Sequence, residues 1–178
     1  MPNAVLKFWF EELQPSQWWT PDAAVDARIR QRFAPLLLQA SAGELAAWRS
    51  TAQGRLAEIM VLDQFSRNIH RGSAQAFAQD AQALALAQEA VRSGALSALD
   101  ETQRSFLLLP LMHSESRSIH AQALPLFAQH ASANSYDFEL QHQLIIERFG
   151  RYPHRNAILG RVSSAEELQF LSQPGSSF

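Results

Sequence analysis

Apolar residues recur along this chain every three to four positions, and no stretch alternates with period two for long enough to be a strand. Val5, Phe8, Trp9 and Leu13 share one helical face over Ala4 to Leu13, widened by Leu6 and Phe10. Pro15 to Pro21 reads as a loop carrying Trp18 and Trp19. Asp22 can cap a helix that runs toward Ser41, with Val25, Ile29 and Phe33 in register and Pro35 expected to kink or end it. A short helical piece follows over Gly43 to Arg49, then a long helix over Gly54 to Asn68.

The pattern continues to the other end. A helix is expected over Ala74 to Ser93, stopped by Gly94. Asp100 can cap the next, which reaches Met112, and Ser114 or Ser116 starts another that ends near Ala133. Tyr136 to Phe149 is a further helix, stopped by Gly150, and Pro153 opens a turn to Leu159. Ser163 or Ser164 caps a last helix, with Glu166 and Glu167 favourably placed in its first turn. The reading is all-α: a single domain over 1–178, built as about eight or more helices in antiparallel hairpins, because the connections are short. A faint echo between 81–90 and 121–129, at an offset of 40 residues, suits repeated helical hairpins.

Composition agrees. The chain has 178 residues, 47% of them hydrophobic, with alanine commonest and only seven glycines. Alanine loses least on becoming helical. A net charge of -2 speaks against a general nucleic-acid binder. The absence of cysteine removes disulfides, thiolate metal sites and cysteine nucleophiles. No segment resembles a targeting signal or a membrane span, so a cytoplasmic location is the simplest expectation. Lys7 is the only lysine; arginine carries the remaining basic charge. Arginine suits planar, two-toothed binding of carboxylate or phosphate, although a GC-rich genome gives the same skew.

Three polar clusters interrupt the apolar helices. In L-D-Q-F-S-R-N, 62–68, Asp63 and Arg67 stand four apart, continue the apolar stripe and form a candidate inward-facing pair. That pair either fixes helix register or presents a guanidinium to a pocket, with Gln64 and Asn68 beside it. In L-L-L-P-L-M-H-S-E, 107–115, Pro110 should bend or end the helix within a turn of His113. His113 and Glu115 are then candidate catalytic residues, as an acid/base pair with Glu115 orienting the ring. The alternative is a histidine at a helix end and a glutamate in the next first turn.

The densest cluster is 142–161, where Arg148, Arg151, Arg155 and Arg161 face one acid, Glu147. A local excess of three positive charges beside the Gly150 and Pro153 break suits an anion site. Its candidate ligand-binding residues are His142, Arg148, Arg151, His154, Arg155, Asn156 and Arg161, joined by Arg67 and Asn68. The competing reading has these arginines capping carbonyls and pairing with Glu166 and Glu167, and His142 as a core residue. No metal site is expected: Glu139 and His142 form one E-x-x-H without a second, and H-E-x-x-H is absent. No cofactor is implied, since phosphate-loop and dinucleotide glycine patterns are absent too.

Taken in order, F-W-F-E-E-L, W-W, L-D-Q-F-S-R-N-I-H-R-G, A-F-A-Q-D, L-P-L-M-H-S-E and the run from I-I-E-R-F-G-R-Y-P-H-R-N to A-E-E-L-Q-F-L resemble the bacterial family catalogued as domain of unknown function 924. The resemblance spans Val5 to Phe178. It implies a tetratricopeptide-like helical fold and brings no activity or site residues with it. Its words coincide with the polar clusters. Three readings stay open: a small anionic ligand in an Arg/His/Glu-lined pocket, with or without catalysis; a tetratricopeptide-like module for a protein or peptide partner; and purely structural polar clusters. Neither nucleic acid nor membrane is an expected partner.

Overall fold

The computed structural model describes residues 1–176, all of whose regular elements are helical. Ser177 and Phe178, the end of the expected 1–178 domain and of the resemblance, lie outside the described residues. The helices are α1 Pro2–Lys7, α2 Pro15–Trp19, α3 Ala23–Ser41, α4 Ala52–Met60, α5 Ser66–Ile69, α6 Asp80–Arg92, α7 Glu101–Met112, α8 Arg117–His130, α9 Ala133–Phe149 and α10 Ala165–Leu171. Short 3-10 turns link several of them.

Several caps act as their residue types predict. Asp22 accepts hydrogen bonds from the Ala24 and Val25 amides. Asp100 with Gln103, and Ser164 with Glu167, form reciprocal capping boxes. Gly94 and Gly150 end their helices with left-handed backbone, at φ 77° and 71°.

Four local expectations change. The helix expected over Ala74 to Ser93 divides into a 3-10 turn, Ala74–Phe77, and α6 from Asp80. Pro15–Trp19 is a helix, not a loop, because Gln14 and Gln17 cap it reciprocally and proline is welcome in a first turn. Helix α3 does not end at Pro35 but runs on to Ser41. The expected helix over 54–68 is continuous but widens to a π-helical turn at Val61–Phe65 before α5. A second π turn, Phe8–Glu12, follows α1.

The two π turns face each other. Phe8 and Trp9 pack on Phe65 at 6.1 and 5.7 Å between ring centroids, and Phe33 closes on Phe65 at 4.8 Å. Leu56, Ile59, Met60 and Leu62 are wholly buried with Phe106 and Leu107 of α7. Each such side chain contributes roughly 1.5–3 kcal/mol through lost water contact. Later helices pack in sequence: α6 on α7, α7 on α8, α8 on α9. A smaller core of Ile145, Ile146 and Tyr152 lies under α10.

This packing sets up one corner. Helix α7 ends at Met112 with His113 as its C-cap, two residues after Pro110. The segment 151–161, which carries the 3-10 turn Pro153–Arg155, then returns across that end.

Candidate functional site

Asp63 lies in the π turn after α4, which packs on α7. Its carboxylate is almost wholly buried, accepts from His113 Nδ1 at 2.8 Å and Gln64 Nε2 at 2.6 Å, and pairs with the Arg67 guanidinium at 3.0 Å, whose Nη1 donates to the Asp63 backbone carbonyl at 2.8 Å. Burial alone would raise its pKa; Arg67 and His113 outweigh that and hold the carboxyl well below its usual range. For His113 burial wins over the pull of Asp63, so the ring's pKa is lowered and it stays neutral at neutral pH. With Nδ1–H donated to Asp63, Nε2 is left as the acceptor. His113 lines a cleft of about 400 Å³.

The expected His113–Glu115 pair does not form. Glu115 instead accepts the Tyr152 amide at 2.7 Å and a two-toothed clasp from Arg161 at 2.6 and 2.8 Å. Burial raises the Glu115 pKa, but these donors outweigh it and hold it low. Glu115 therefore staples the 151–161 segment to the turn between α7 and α8. Asn156 reinforces the staple, accepting from Arg161 Nε at 2.9 Å and donating to Ser163 at 3.0 Å.

The stapled segment delivers Arg155 to the cleft. Its guanidinium carbon sits 4.7 Å from both the Phe77 and Tyr152 ring centroids, a cation held between two aromatic faces. Arg155 is only 5% exposed, yet its single hydrogen bond among the described residues is a long one, 3.3 Å from Nη1 to Asp80. Its Nε is buried with no partner there. Burial, then the nearby Arg67 charge, lowers its pKa from the usual arginine value. Asp80, at the start of α6, spends itself chiefly on Arg67, at 2.9 and 3.0 Å.

The remaining candidates separate. Arg148 pairs with Glu166 at 2.8 Å, and Arg151 with Glu167 at 2.7 and 2.8 Å. Both tie α9 and its outgoing chain to α10, away from the cleft. Asn68 donates to Asp26 at 2.8 Å, which Arg71 also holds. His142 donates Nδ1–H to the Phe138 carbonyl, and burial pushes its pKa down to about 3. The His154 ring packs on Tyr152 behind Arg155; burial and then the Arg155 charge lower it to about 4. Tyr152 is thus the hub behind the cleft, with His120, His142, His154 and Arg155 around its ring.

Asp80, Phe77 and Tyr152 are the site residues that reasoning from local spacing missed. The helix expected over Ala74 to Ser93 gave Asp80 no special place, whereas the structure starts α6 at Asp80. The word A-F-A-Q-D, which carries part of the resemblance, contains both Phe77 and Asp80, and that was the available signal.

Three carboxylates (Asp63, Asp80, Glu115) thus face three guanidiniums (Arg67, Arg155, Arg161) around a neutral His113. The local positive excess read from the sequence is balanced in space. Among the described residues no group of three or more histidine and acidic side chains is placed to hold a metal ion, and no helix is long and apolar enough to cross a membrane.

The model of a family described as a bacterial protein of unknown function (DUF924) matches residues 5–175. The fold is similar to the solved structure of a protein of unknown function from Agrobacterium tumefaciens, at 36% identity over 96% of each chain with a TM-score of 0.91. No curated protein matches.

Proposed function

Since the chain belongs to DUF924, a bacterial family to which no function is attached, we propose from the site itself that its helical domain binds a small anionic ligand in the cleft between α6, α7 and the 151–161 segment. Arg155 is the anion-binding group, and His113 stands beside it as the hydrogen-bond acceptor or proton carrier. The observation that carries this reading is Arg155: a guanidinium almost fully withdrawn from water, stacked between two rings, with most of its five donors unused. A buried, under-bonded cation is costly unless a partner completes it.

Asp63 and Arg67 play the supporting part. They fix the ring of His113 and set its tautomer, as a carboxylate does for an imidazole base. A neutral imidazole with a free Nε2 can accept a proton from a bound ligand, so acid/base catalysis is within the site's chemistry.

A second reading, a tetratricopeptide-like peptide-binding module, draws support from the sequential stacking of α6 to α9. It would place the partner on an open helical face and leave Arg155 with no role. The third, a purely structural cluster, draws support from the even count of acids and arginines. Titration of the protein and of its Arg155→Ala variant with a panel of carboxylates and phosphates separates the three. The first expects saturable binding that Arg155→Ala weakens at least tenfold, with modest loss of melting temperature. No anion bound, with the variant strongly destabilised, would leave the cluster as scaffold.

A further inference from the structure

The Arg155 cleft has two kinds of wall, and together they restrict what can occupy it. One wall is apolar: Phe77, Ala78, Ala81, Leu84, Pro110 and Leu159. The other carries Arg155 and His113, flanked by the carboxylates of Asp80 and Glu115. Resting on the anion-binding reading above, we infer that the ligand is a monocarboxylate on a short aliphatic or aryl-alkyl body, and that Asp80 and Glu115 set the limit of one negative charge.

The charge limit follows from the geometry. Asp80 holds Arg67 with two short bonds and touches Arg155 through one long one. Arg155 is the cation whose donors a ligand can recruit, because Arg161 is already clasped by Glu115 at 2.6 and 2.8 Å. One incoming carboxylate can take the unused edge of Arg155 while Asp80 stays on Arg67. A second negative charge on the same ligand meets the Asp80 and Glu115 carboxylates in a poorly screened cleft, where like charges repel more than in water. Phosphate monoesters carry a charge between about -1.5 and -2 at pH 7, so the same walls exclude them. The apolar wall adds a second filter. A polyhydroxylated body would lose water contacts there and find few hydrogen-bond partners in return. A hydrocarbon body gains from burial instead.

Titration calorimetry at pH 7.5 with acetate, butyrate, hexanoate, adipate and inorganic phosphate tests this on the wild-type protein. Affinity should rise from acetate to hexanoate by up to about fourfold per buried methylene. Adipate matches hexanoate in carbon count and adds one carboxylate; it should bind at least tenfold more weakly, as should phosphate. Asp80→Asn should narrow the gap between hexanoate and adipate. Should that variant fail to fold for want of the Arg67 pair, the wild-type series alone decides. Adipate or phosphate binding as tightly as hexanoate, in a manner lost in Arg155→Ala, would overturn the monocarboxylate inference and leave the anion site standing. Binding of none of these anions, or binding indifferent to Arg155→Ala, would overturn both.

Discussion

Asp63 and His113 lie 50 residues apart in the chain and meet at 2.8 Å. The contact joins the π turn after α4 to the C-terminal end of α7. It fixes which imidazole nitrogen is left for the cleft. Arg67 approaches the same carboxylate oxygen, at 3.0 Å, so the histidine is held by a charged pair and not by a lone acid.

Removing that carboxylate should be expensive. Asp63→Asn leaves Arg67 with Asp80 as its carboxylate partner and gives His113 a neutral acceptor in place of a charged one, and breaking such a buried pair costs about 3–5 kcal/mol. Denaturant unfolding measures the loss. The pKa of His113, followed by NMR, should fall further, because Asp63 is the largest influence opposing burial.

Glu115 should behave differently. Glu115→Gln removes the charge that clasps Arg161 and accepts the Tyr152 amide, at a cost of about 1–3 kcal/mol. The His113 titration should not move, since Glu115 makes no hydrogen bond to the ring. A parallel shift in His113 would restore the acid/base pair that adjacency in sequence suggests.

Stability should decline on mild acidification. His113, His142 and His154 all titrate below the ordinary 6.5, the latter two at about 3 and about 4. Groups with a depressed folded pKa contribute stability that is complete above the unfolded value and is lost as pH falls through the folded one. The melting temperature should therefore drop steadily from about pH 6.5 to pH 4. Glu139, whose pKa burial raises, works in the opposite sense: its protonation relieves the folded state as pH falls. His142→Leu should flatten the decline; an unchanged slope would remove His142 from this account.

Gly150 tests how the site is delivered. Its φ of 71° is left-handed, and the nearest atom to an added Cβ is Arg117 Nη2 at 3.8 Å. Gly150→Ala thus costs backbone strain alone, about 1–2 kcal/mol. It should also weaken anion binding, because Gly150 starts the segment that carries Arg155.

The helical layout was legible from periodicity and caps, since Asp22, Asp100, Gly94, Gly150 and Ser164 each act through local chemistry. The Asp63–Arg67 pair was legible for the same reason, at one helical turn. What local spacing could not show were partners far apart in the chain: His113 with Asp63, Glu115 with Arg161, Arg155 with Asp80. The π turn at 61–65 was equally hidden, because one extra residue in a turn leaves no mark in composition. The acids that neutralise the 142–161 arginines come from α6, the turn after α7 and α10. Hence a local charge excess overstated the positive character of that corner.

The central claim is that Arg155 is free to take an external anion while Arg148 and Arg151 are not. The most direct measurement is ¹⁵N-resolved NMR of the arginine Nε–H groups and of His113 during titration with hexanoate. The account predicts that Arg155 Nε–H and His113 Nε2 shift together and saturate at the same ligand concentration, with Arg148 and Arg151 unmoved. An unperturbed Arg155, or shifts confined to Arg148 and Arg151, would contradict it.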